Sequence, residues 1–418
     1  MVLPMRQRAE VINGWLEQRL DRIVPDLMRE HGLDMWIVLG REYNEDPVLK
    51  TMLPATWLSA RRRTILVFFD PGNGEPVERL AVARYSVGRL FESAWDPEEQ
   101  PDQWARLAEI IEERNPKNIG INTSETYAHA DGLSHTQHES LKEALSPRFR
   151  SRLVSAEPVA IGWLERRLPE EMEVYSSVCR IAHEIMAEAL SERVVQPGVT
   201  TKSDIEWWCR ERVRELKLTA WFQPSIIVQR RASDRDYSFD LSEVDDPVIR
   251  RGDLIRLDFG ITYLRLSTDT QQVAYVLLPG ETEPPAGLQR AFDVGNEMED
   301  ILTSRFAVGR TGNEVLLSAL AEAESRGIKG MVYTHPIGFH GHGAGPAIGM
   351  WDKQGGVPGT GDYPLYDGTA YSIELNVTVP IPDWDNQDVR IMLEEDAFFK
   401  DGRVRYIDGR QTELFVIR

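Results

Sequence analysis

The chain has 418 residues, 42% of them apolar, which is enough for more than one ordinary core. Its 48 basic and 67 acidic side chains leave a net charge of −19, which repels nucleic acid and anionic membranes and argues against both as partners. Cys179 and Cys209, the only cysteines, lie in amphipathic helical patterns and exclude a disulfide framework or a thiolate metal cage.

The opening MVLPMRQRAEVINGWLEQRL lacks the apolar core of a signal peptide. No run approaches the roughly 18 apolar residues of a membrane span, so the sequence reads as soluble and, by default, cytoplasmic. A helical stretch over 5–31 leads into strand patterns at DMWIVLG (34–40), TILVFFD (64–70) and LAVARYS (80–86). The Arg61-Arg62-Arg63 run between them reads as a solvated face, with anion binding as the alternative. A polar helix at 101–115 and a strand at NIGINTS (118–124) complete the alternation of a small α/β domain with a buried sheet.

Another helix begins at Pro169, with Glu170 and Glu171 in the first turn, where the helix dipole favours negative charge. We therefore expect an α/β domain over 1–163 and a larger α+β domain over 164–418. The larger one contains an internal echo. VVQPGVTTKSDIEWW and FAVGRTGNEVLLSAL each place a glycine break and a capping residue ahead of an apolar helix.

Four segments of this domain carry chemistry. RRGDLIRLDFGITYLRLSTDTQQVAYV (250–276) reads as a hairpin; a turn on Tyr263-Leu264 would set Asp258 directly opposite Asp269. Facing carboxylates repel unless a cation sits between them, and paired hydrolytic metals about 3.5–4 Å apart would suit that span. THPIGFHGHGAGPAIGMWD (334–352) gathers His335, His340 and His342 among glycines, which allow close wrapping of a ligand. In AYSIELNVTV (370–379) and VRIMLEEDAFF (389–399), Glu374 and the pair Glu394-Glu395 interrupt apolar strands. A buried carboxylate needs a cation or hydrogen bonds, so these groups together point to a carboxylate-rich metal site. His183-Glu184 opens an H-E-x-x-H helix motif, but Ala187 stands where its second histidine belongs. No serine elbow or P-loop occurs.

At these residues the sequence resembles the pita-bread metallohydrolases, the group of aminopeptidase P, prolidase, methionine aminopeptidase and creatinase. The resemblance covers about 165–418, and the preceding α/β domain is similar to that of the proline-specific members. It rests on LDFG at Asp258, STDT at Asp269, Gly341-His342-Gly343-Ala344-Gly345, Glu374 in YSIEL and Glu394 in LEEDAFF. His340 also satisfies H-x-x-G and competes with His342, as Glu395 competes with Glu394.

The resemblance implies an α+β pita-bread catalytic domain holding two divalent ions, manganese first, with zinc, cobalt or iron as competitors. Asp258 would chelate one ion, His342 and Glu374 the other, and Asp269 with Glu394 would bridge them. Glu374 would shuttle the proton, while His335, His340 and Arg390 would meet the substrate, a short peptide with proline second. Relatives are commonly homodimers whose N-terminal domain closes the partner's site, which makes Arg61–Arg63 candidates for that edge. Several family histidines are missing. SFDL (238–241), Gly338 and Gly349 stand in their places, and Met392 replaces an arginine. A metal-free, creatinase-like amidohydrolase and a catalytically silent binder therefore compete with the peptidase reading.

Overall fold

The computed structural model describes residues 2–72, 74–232 and 246–418. Two compact units divide the chain, Leu3–Leu168 and Pro169–Arg418. Among the described residues no helix is long and apolar enough to cross a membrane.

In the first unit the apolar runs pair into a mixed six-stranded sheet. Its strands are β1 (Met35–Arg41), β2 (Arg63–Phe69), β3 (Glu78–Val82), β4 (Glu92–Ser93), β5 (Ile119–Ile121) and β6 (Leu153–Ser155), ordered β4-β3-β2-β1-β5-β6. Alternate residues of the central strands, including Met35, Ile37, Ile65 and Val67, share a core with Leu107, Ile110 and Ile111 of the helix Gln103–Arg114. The helix Glu157–Glu165 also belongs to this unit. The run 80–86 is strand only as far as Val82, and Arg84, Tyr85 and Ser86 are exposed.

The second unit adds β7 (Thr219–Ala220), β8 (Ser225–Gln229), β9 (Leu254–Phe259), β10 (Ile261–Tyr263), β11 (Leu266–Ser267) and β12 (Thr270–Val276). Then come β13 (Gly330–Val332), β14 (His335–Pro336), β15 (Thr369–Ile381), β16 (Gln387–Lys400), β17 (Arg403–Tyr406) and β18 (Phe415–Ile417). The large sheet runs β13-β15-β16-β12-β9-β8, with β14 on β15, β17 on β16 and β18 on β12. Odd-numbered residues of β15 and β16, such as Ile373, Leu375, Val377, Ile391 and Leu393, join Leu288 and Phe292 of the helix Ala286–Thr303 in one core. With a side-chain period of two, the even-numbered residues must face the other way. That places Glu374 and Glu394 on the face the core leaves free.

Both echo segments form the same local device. Gly198 and Gly309, each with φ of 84°, precede helices Lys202–Glu215 and Gly312–Ser325. Each helix opens with a capping box, Thr201 with Asp204 and Thr311 with Glu314.

The hairpin register differs from the expected one. Its turn lies on Leu264-Arg265, with φ of 54° and 64°, so Asp258 stands opposite Gln271 rather than Asp269. These dihedrals match the twist of a two-residue hairpin turn, and burial of Leu264 offsets the strain of a branched residue there. Because the slip is two residues, a whole pleat, Asp258 and Asp269 keep a common face. At Gly260, between β9 and β10, a Cβ would lie 2.3 Å from both the Thr268 carbonyl oxygen and the Trp221 indole nitrogen. Gly260→Ala is expected to cost about 1–3 kcal/mol, read as a lower denaturant midpoint at unchanged slope.

Candidate metal centre

Strand pairing alone aligns four polar side chains. Asp258 of β9 pairs with Gln271 of β12, Gln271 with Glu394 of β16, and Glu394 with Glu374 of β15. They form one row across the sheet, opposite the apolar core. His335 pairs with Ser372, two residues before Glu374, so its ring falls on the same face. Asp269, two residues before Gln271, extends the face on the other side.

Ligand-type atoms of these residues converge in three groups, each within 4.8 Å: Asp258 with Asp269 and Glu394; His335 with Glu374 and Glu394; and Asp269 with His335 and His342. Glu394 is common to the first two. His335 Nε2 lies 3.5 Å from Glu394 Oε1 and 3.6 Å from Asp269 Oδ2, is buried, and has no hydrogen-bond partner. His342 is exposed, with its ring 4.7 Å from that of His335 and 5.2 Å from Trp221. His340 is half-buried and belongs to none of the three groups. Arg390 lies four residues along β16 from Glu394, roughly 13 Å away along the strand and outside the cluster.

The carboxylates are poorly solvated. Burial pushes Asp258 up to about 7 despite the adjacent Arg256, and Glu394 adds to the rise. Burial, with Glu394 next, holds Asp269 and Glu374 well above the ordinary carboxylate range. Such groups want cations. An oxygen-rich donor set with an imidazole whose buried Nε2 has no hydrogen-bond partner, while its Nδ1 meets the Pro336 carbonyl at 3.0 Å, suits a first-row divalent ion, so the residues fit a metal.

Sequence reasoning missed several neighbours. Gln271 Nε2 donates to Glu374 Oε1 at 2.6 Å and Glu394 Oε2 at 2.9 Å. Arg256 Nη1 donates to Asp258 Oδ2 at 2.6 Å, and Ser372 Oγ to Glu394 Oε1 at 2.7 Å. Thr334 Oγ1 clamps the backbone of Glu374, donating to its carbonyl at 3.0 Å and accepting from its N–H at 2.9 Å. Gln271, Arg256 and Ser372 each lie one pleat from a singled-out residue, and that pleat was the available signal; Thr334 directly precedes His335. Trp221 and Phe222, rings 4.5 Å apart, form an aromatic wall beside His342; nothing in their local sequence indicates that.

Gly349 could not carry a histidine. Its φ is +79°, and a Cβ there would lie 2.1 Å from the Val332 carbonyl oxygen. SFDL (238–241) lies outside the described residues. Glu395 faces away from the centre and accepts from His183 Nε2 at 2.8 Å, while His183 Nδ1 meets Asp408 Oδ2 at 3.1 Å. Burial opposes charge on His183, but these two acids push its pKa up to about 9.

A family model, metallopeptidase family M24, matches residues 173–406. Among solved structures, an X-Pro aminopeptidase from Thermotoga maritima superposes with a TM-score of 0.65 at 18% identity, covering 94% of this chain and 99% of that one. An Xaa-Pro dipeptidase from Bacillus anthracis gives 0.62 at 15% identity, over 96% and 99% of the two chains. A prolidase from Pyrococcus horikoshii gives 0.58 at 15%, over 95% and 99%. No curated protein sequence matches the chain.

The raised carboxylates make stability depend on pH. Between the ordinary 3.8 and about 7, folded Asp258 holds a proton that the unfolded chain has released, so stability falls as pH rises through that window. Chelated protein should therefore melt at lower temperature at pH 7.5 than at pH 5, and divalent metal should raise the Tm more at pH 7.5. Calorimetric scans at both pH values check this; an equal metal effect would contradict it.

Proposed function

Because the chain belongs to metallopeptidase family M24, we propose that it is a divalent-metal-dependent exopeptidase removing the N-terminal residue from short peptides with proline second. The observation that carries this is the row Asp258, Gln271, Glu394, Glu374, buried at its centre and half-buried at its ends, with the unpartnered His335 Nε2 aimed at it. Two ligand groups sharing Glu394 support two cations, one held by Asp258, Asp269 and Glu394, the other by His335, Glu374 and Glu394. Manganese is the expected pair, with zinc, cobalt and iron(II) as competitors. Bound there, such ions would polarise the scissile carbonyl and lower the pKa of the attacking water.

The remaining steps fall to the chain's own groups. Glu374, held by Thr334 and accepting from Gln271, is the proposed proton carrier, taking a proton on a carboxylate oxygen and passing it to the leaving nitrogen. The imidazole ligand is assigned to His335 in place of His342, because His335 is the buried one. His342, exposed beside it, takes the role of hydrogen-bonding the substrate carbonyl. Trp221 and Phe222 offer a flat apolar wall for the pyrrolidine ring.

A second reading has its own support. Arg256 on Asp258 and Gln271 between the glutamates supply donors where a cation would otherwise be needed. That would suit a metal-free amidohydrolase.

Elemental analysis separates the two readings, and the first expects about two equivalents of metal per chain. Metal-loaded protein should release the first residue from Xaa-Pro peptides, and Asp269→Asn should lower kcat/KM by roughly a thousandfold. A metal-replete protein inert on that panel sinks the peptidase reading. His335→Ala should lose bound metal, whereas His342→Ala should keep it and lose activity; the reverse pattern returns the ligand role to His342.

A further inference from the structure

The Arg61–Arg63 run is solvated as its sequence suggests, with Arg61 and Arg62 exposed and Arg63 half-buried, but it does more than face water. With Arg84, Trp57 and Tyr85 it lines a cavity of about 180 Å³ in the first unit, room for roughly six waters. No acidic side chain is among the lining residues. Among the described residues, none of the four guanidinium groups has a carboxylate within ion-pair distance. Other arginines of the same unit are neutralised: Arg29 by Asp70, Arg79 by Asp21, Arg106 by Glu109 and Arg114 by Glu78. In a chain of net charge −19, four guanidinium groups without an ion-pair partner around one hollow make it attractive to an anion.

The local backbone holds them in place. Arg63 opens β2 and pairs with Arg41 of β1, while Arg62 sits at φ +57° with its carbonyl accepting from the Glu42 N–H at 2.6 Å. A left-handed arginine is uncommon, and it turns successive side chains of the run in different directions. Arg61 lies over Trp57 at 4.7 Å and over Tyr85 at 5.9 Å, so its fork is braced by rings. Arg63 stacks on Trp104 at 4.7 Å and reaches only the neutral Gln103, at 3.5 Å, while its Nε is buried without a partner. Burial first and then Arg41 act against its charge, and Asp102 offsets them only in part.

We propose that this cavity is a binding site for a small oxyanion, a carboxylate or a phosphate, gripped by the Arg61, Arg63 and Arg84 guanidinium groups with Trp57 and Tyr85 as its walls. Planar guanidinium forks match both anions in bidentate geometry, and the rings accommodate a flat apolar body attached to the charge. The proposal is independent of what the metal centre does.

Titration calorimetry of the full-length protein with inorganic phosphate and with benzoate tests it, in the presence of chelator and again with metal. One saturable site per chain is expected for at least one anion, with the same affinity in both conditions. The tighter of the two identifies the source as phosphate or carboxylate. Arg61→Ala with Arg84→Ala should weaken binding at least tenfold. Since both side chains are exposed, the melting temperature should hold. The corresponding double lysine variant should fall between, because it keeps charge and loses the fork. Absence of saturable binding, unchanged affinity in the alanine variant, or binding that appears only with metal would overturn the proposal. So would an alanine variant that binds normally but sediments as a smaller species, which would assign the arginines to a subunit contact.

Discussion

Carboxylates stacked side by side on one sheet face, with little water to shield them, set the terms for the second unit. Glu374 and Glu394 are directly paired across β15 and β16, and Asp258 stands two strands further along the same row. Like charges in such positions destabilise a sheet, and burying each one costs several kcal/mol unless a counter-charge offsets it. Protein donors supply part of that offset: Gln271 between the glutamates, Arg256 on Asp258, Ser372 on Glu394. What they leave over is the space facing His335 Nε2, which Asp269 and Glu394 flank at 3.6 and 3.5 Å. A divalent cation, or protons on the acids, would satisfy them.

The opposite face makes this tolerable. Ile373, Leu375, Ile391 and Leu393, alternating with the glutamates, bury a continuous core under the helix Ala286–Thr303. Burial of that apolar area holds the strands in register whether or not the acids are neutralised. Glu395 would be a further liability there, and His183 removes it by sharing a proton with Glu395 and Asp408. The centre is thus built on a scaffold whose stability comes from its far side.

Much of this was legible in the sequence, for a definable reason. Asp258, Glu374 and Glu394 each break an apolar strand, which marks them as candidates, and the pairing register then puts them on a common face. The alternating helices and strands of the first unit and the two capping boxes rest on equally local rules. What was not legible depended on contacts far apart in the chain. The turn on Leu264-Arg265 carries no glycine or asparagine, and only tertiary burial of Leu264 selects it. The two-residue slip was harmless because parity survived it. The arrangement of the histidine segment was also hidden. His335, His340 and His342 differ little by spacing, and pairing of His335 with Ser372 is what sends its ring inward.

Gly349 admits no side chain, and the path of the chain depends on that. A side chain there would strike the Val332 carbonyl, so the segment 334–352 could not fold in this path around a histidine. The same path brings the exposed His342, seven residues after His335, beside it and against Trp221. Glycine at 341 completes the arrangement, since a Cβ there would lie 2.1 Å from the Trp221 ring. The aromatic wall, the exposed imidazole and the buried imidazole are therefore one packed unit, and the glycines between them are what allow it to close.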